Sequence, residues 1–79
     1  MSTKPKVELT LPVMENMELA ATKTEEVVAK SMGLDEMKTA EINMALIEAC
    51  INAFEHSKSK ENIYINYSID GDTLTIKVG

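Results

Sequence analysis

The sequence predicts an α/β two-layer sandwich in the order strand, helix, helix, strand, strand. Three observations lead there. An alternating apolar run near the N-terminus is followed by two stretches of helical period, broken at Gly33-Leu34. The last third then holds two alternating runs separated by Asp70-Gly71-Asp72. Strands with one apolar face each need a cover, and two helices supply it.

Val7, Leu9 and Leu11 alternate with Lys6, Glu8 and Thr10, the period of a half-buried strand. Pro12 has no N–H to give a ladder and ends it. From Met14 the period lengthens. Met17, Ala20, Ala21, Thr24, Val27, Val28 and Met32 share one side of a helix, with Glu15, Glu18, Lys23, Glu25 and Lys30 largely on the other. Acidic residues gather at its start, where the helix dipole favours them, and Gly33 is a natural stop. Asp35 is a good N-cap for a second helix running to about Ser57, and Lys58-Ser59-Lys60-Glu61-Asn62 is a polar connector. Ile63, Ile65, Tyr67 and Ile69 alternate with polar or amphipathic neighbours, as do Leu74, Ile76 and Val78 after the Asp-Gly turn. An Asp-Gly between two such runs signals a hairpin, because a tight turn needs a residue comfortable at positive φ.

The chain has 79 residues and a net charge of −5, and all eight basic residues are lysines. That length allows one small domain. Hydrophobic content of 44% and charged content of 27% are ordinary globular values and exclude wholesale disorder. An acidic chain without the bidentate arginine fork is a poor nucleic-acid binder. The single cysteine, Cys50, excludes an internal disulfide framework. The first residues lack the apolar segment of a signal peptide, and no apolar run approaches the ~20 residues of a membrane span. The expectation is a soluble, cytoplasmic domain. Six methionines read as core filler, with a Met-rich partner groove as the lesser alternative.

The second helix has unusual proportions. Glu41, Met44, Ala45, Glu48, Asn52, Glu55 and His56 occupy one narrow sector, while most of the remaining circumference is apolar. Such a helix is expected to be buried on several sides, its polar strip facing solvent or a cleft. Glu48 and Asn52 are four apart and meet on one face. A carboxamide oxygen is a neutral ligand for Mg²⁺, and a neighbouring carboxylate can accept a proton. A solvated strip with one Glu–Asn hydrogen bond is the plain alternative, and spacing alone leaves both open. Cys50 falls on the apolar side as a small hydrophobe; it does not face His56, so the two make no zinc pair. No glycine-rich phosphate loop and no serine-histidine-acid constellation is present.

The stretch Ile42-Asn-Met-Ala-Leu-Ile-Glu48-Ala-Cys-Ile-Asn52-Ala53-Phe-Glu-His56 resembles the N box of the histidine-kinase-like ATPase superfamily. The likeness is greatest to its branch of anti-sigma factors that are serine-protein kinases, where Glu-x-x-x-Asn-Ala-x-x-His occurs in the same element order. The resemblance implies an incomplete Bergerat-type ATP-binding fold with Glu48 as catalytic general base, Asn52 as Mg²⁺ ligand and His56 near the nucleotide phosphates. It also implies ATP and Mg²⁺ as cofactors. Its expected reaction moves the γ-phosphate to a serine or threonine of an anti-sigma-factor antagonist. The implied partners are that antagonist and a sigma factor, with no nucleic acid or membrane. The family's adenine-binding Asp-x-Gly-x-Gly box does not occur in these 79 residues. By its pattern it should follow Gly79, so residues 1–79 are expected to be the N-terminal half of such a domain, inactive alone. A non-catalytic protein-binding half-domain or dimerisation module is the alternative, and exposed strand edges lead to an expected homodimer.

Overall fold

A computed structural model describes residues 4–56 and 62–79. The element order is β1 (Lys6–Pro12), α1 (Met17–Met32), α2 (Glu36–Glu55), β2 (Asn62–Asp70) and β3 (Thr73–Val78). Both helices lie on one face of a three-stranded antiparallel sheet with β2 in the centre, as the alternation of apolar residues predicts. The register places Leu9 opposite Ile65 and Leu11 opposite Ile63, and on the other side Tyr67 opposite Ile76. One face therefore collects every apolar row. Leu11, Ile63, Ile65 and Tyr67 are buried there against Ala21, Leu46 and Cys50 of the helices.

The turns follow from backbone chemistry. Gly33 closes α1 at φ 76, its N–H and that of Leu34 returning to carbonyls of the last helical turn. Asp35 caps α2 by accepting the Lys38 N–H at 2.7 Å. In the hairpin Asp70 pairs with Thr73, so the two loop residues are Gly71 and Asp72. Gly71 takes the positive φ, 63°, which is the glycine-first form of a tight turn. Asn16 precedes α1 at φ 69, so the helix begins at Met17 rather than near Met14. The second helix ends at Glu55 with His56 as its cap. Ser57 and most of the polar connector lie outside the described residues.

Tyr67 joins the two layers. Its ring is completely buried on the central strand, and its hydroxyl donates to the Ala21 carbonyl oxygen of α1 at 2.7 Å. Burial, with smaller contributions from Cys50 and Glu25, pushes the phenol up to about 12.

Four expectations are corrected. Glu25, assigned to the solvent side, is fully buried beside Ala21, Thr22, Val28 and Ala29. It lies four residues after Ala21 and three before Val28, so helical spacing puts it on the inner face despite its charge. Val27, assigned to the inner face, is 66% exposed. In α2 only Leu46 and Cys50 are buried, so the helix is closed on one side and not on several. Most described methionines are not core filler either: Met14, Met37 and Met44 are exposed and Met32 is half-buried, while Met17 does pack against the core. Among the described residues no helix is long and apolar enough to cross a membrane.

Neither carboxylate oxygen of Glu25 has a hydrogen-bond partner among the described residues. Burial, assisted by the charge of Glu26, pushes this carboxyl from 4.5 up to about 7. The folded chain thus holds a proton that the unfolded chain releases near 4.5. The neutral group's stabilisation is fully present below that value and is lost as pH rises through about 7. Glu25→Gln should match the wild type in denaturant unfolding below pH 4.5. Above pH 7 it should be more stable, by a difference on the order of 3 kcal/mol. Tyr67→Phe should cost about 1 kcal/mol in the same assay, the net worth of one buried hydrogen bond.

Candidate functional site

The C-terminal half of α2 carries the polar residues singled out from the sequence. Glu48 and Asn52 are both exposed, one helical turn apart. Neither side chain makes a hydrogen bond or ion pair with another described residue. His56 caps the helix, its backbone N–H donating to the Asn52 carbonyl at 3.0 Å, and its side chain is exposed. The three are thus presented outward with free polar atoms, whereas the neighbouring Cys50 is sealed, its thiol pushed up by burial and by Glu18.

Asn52 and His56 line one cavity of about 420 Å³ together with Ala49, Ala53, Ile63, Val78 and Gly79. It opens between the end of α2 and the end of the β2–β3 pair. Its size falls within the range of small-ligand sites, and its composition fits one: an apolar floor with a few polar groups at the rim. The two alanines make the space, since a longer side chain at either position would fill it. Gly79 forms the far wall, held by reciprocal backbone hydrogen bonds of 2.8 Å with Tyr64. An apolar groove continues from Ala49 and Val78 along Ile42, Ala45, Leu74 and Ile76.

Glu48 is not part of the cavity wall. It stands one turn towards the N-terminus of α2, so the structure brings Asn52 and His56 together and leaves Glu48 adjacent. Ala49 and Ala53 could have been found from spacing, because they flank Asn52 and His56 on the helix. Ile63, Val78 and Gly79 could not, since their arrival depends on which strand α2 crosses.

The donor set suits a particular kind of metal. Among the described residues there is no group of three or more His, Cys, Asp or Glu side chains able to cage a cation. One exposed carboxamide oxygen with a carboxylate one turn away would fit a cation such as Mg²⁺ that keeps most of its waters and is held largely by phosphates it accompanies. Neither lysine nor arginine lines the cavity.

A family model described as the histidine kinase-like ATPase domain matches residues 12–79, while no curated protein matches the chain. The match begins at the end of β1 and covers both helices, the cavity and the hairpin. The chain therefore belongs to the histidine kinase-like ATPase domain family.

Proposed function

We propose that this chain is the base- and metal-ligand-bearing part of an ATP-dependent serine/threonine-protein kinase that also acts as an anti-sigma factor. The observation that carries the reading is the Glu48, Asn52, His56 series on α2, with Asn52 and His56 in one cavity of an ATPase-family domain. Its particular substrate, an anti-sigma-factor antagonist, comes from the resemblance of that series to the anti-sigma branch. Mg²⁺ bound with ATP neutralises charge on the β- and γ-phosphates. When the nucleotide and its metal are bound, the carboxamide oxygen of Asn52 would hold the metal and the His56 side chain would be available to the phosphates. Glu48 accepts the proton of the attacking serine or threonine hydroxyl as the new O–P bond forms and the bond to ADP breaks. Its place outside the cavity wall suits this role, because the base must meet a hydroxyl arriving from a second protein. A sigma factor is the other partner, held or released according to the antagonist's phosphorylation.

In the protein carrying this chain, Glu48→Gln should lower phosphotransfer by about 10²- to 10⁴-fold while leaving Mg·ADP affinity largely intact. Asn52→Ala should damage both. Transfer to a serine-containing antagonist measured with labelled ATP checks the first, and calorimetric Mg·ADP titration the second. Undiminished transfer by Glu48→Gln would remove Glu48 as the base.

A second reading, a protein-binding half-domain that self-associates, is favoured by the free edge of β3. The reciprocal Tyr64–Gly79 pair sets the ladder phase, so the N–H groups of Leu74, Ile76 and Val78 point away from β2. The β1 edge is blunted by Pro12, which has no N–H to offer outward, whereas β3 has no proline. Strand addition by a second copy at β3 should appear in sedimentation as a dimer that grows with concentration. A profile that stays monomeric at high concentration would dispose of it.

A further inference from the structure

Helix α2 carries a second apolar row, which packs against the core at Phe54 and stands open to solvent at Met37, Met44 and Ile51. Met37, Ala40, Met44, Ile47, Ile51 and Phe54 follow one another at alternating intervals of three and four residues, the spacing of a helix-packing seam. Met37 is 78% exposed, Met44 70% and Ile51 43%, while Ile47 and Phe54 are half-buried. This seam lies about a quarter-turn from the Leu46–Cys50 face that closes the core.

Along one flank runs a row of acids. Glu41, Glu48 and Glu55 recur every seven residues, each directly after Ala40, Ile47 or Phe54. All three are exposed, and none forms an ion pair with a described residue. They occupy the positions that set partner choice in paired helices.

We propose that this face of α2 docks an amphipathic helix of a partner protein, one whose apolar stripe meets Met37, Met44 and Ile51 and whose flank carries lysine or arginine. Charge decides the occupant. A second copy packed antiparallel would bring the acidic row against itself, in a chain already at −5 with no arginine. An anionic lipid surface would meet the same repulsion. A basic helix supplies the missing counter-charges, and exposed methionines adapt to partners of varied shape. This surface shares Glu48 with the phosphotransfer reading but does not rest on it, because the exposed Met37, Met44 and Ile51 and the flanking Glu41 and Glu55 are present whether or not Glu48 acts as a base.

The test uses two designed helical peptides of about 21 residues, three heptads. Both have leucine along the seam; one carries lysine on the flank and the other glutamate. Fluorescence anisotropy against the whole chain should give a Kd on the order of micromolar for the lysine peptide, weakened by salt, and at least about tenfold weaker binding for the glutamate peptide. Met44→Ser should weaken the lysine peptide by about tenfold with an unchanged circular dichroism spectrum. Glu41→Lys should lower affinity for the lysine peptide and raise it for the glutamate peptide. Equal affinity for both peptides, indifference to Met44→Ser, or no binding of the lysine peptide would overturn the proposal. So would dimerisation of the chain that Met44→Ser abolishes, since a second copy would then own the face.

Discussion

The hydroxyl of Tyr67 reaching the Ala21 carbonyl is the contact on which the layering depends. A phenol buried at the centre of a sheet must find an acceptor, and the Ala21 carbonyl of α1 provides it. That bond sets the height and position of α1 over β2. The short Gly33-Leu34-Asp35 turn then leaves α2 little choice but to lie antiparallel beside it. With Cys50 and Leu46 turned into the same core, the rotation of α2 is set as well. Asn52 and His56 are thereby carried to the end of the β2–β3 pair, where the cavity forms.

The same centre tolerates an unusual guest. Glu25 sits with Ala21, Val28 and Ala29, and both its oxygens lack partners among the described residues. A buried ionised carboxylate without a partner is costly, so the group is held largely neutral through the lower pH range. Tyr67 and Cys50 respond to the same dry surroundings in the same direction, each favouring its uncharged form.

Helix α2 meets three demands at once, which explains its composition. One side closes the core, a second presents polar groups to the cavity, and a third is apolar yet open to solvent. Reading most of its circumference as buried was reasonable from hydrophobicity alone. It failed because, among the described residues, no element packs on the outer side of the helix. Met37, Met44 and Ile51 are apolar for a reason that the core does not supply. Glu25 and Val27 show the converse in α1: residue type argues for Glu25 outside and Val27 inside, whereas helical spacing puts Glu25 inside.

The sequence by itself determined the local elements. Period-two alternation marked all three strands, Asp35 and Gly33 marked helix ends, and the Asp-Gly dipeptide marked the hairpin, because these signals depend only on backbone geometry within a few residues. Glu48, Asn52 and His56 were legible for the same reason, as neighbours on one helix. What only the tertiary structure decided was which surfaces meet. The cavity walls at Ile63, Val78 and Gly79, the burial of Glu25 and the bareness of the Met37–Ile51 seam all follow from how two helices settle on one sheet. That outcome is set by long-range packing around Tyr67, and no periodicity along the chain encodes it.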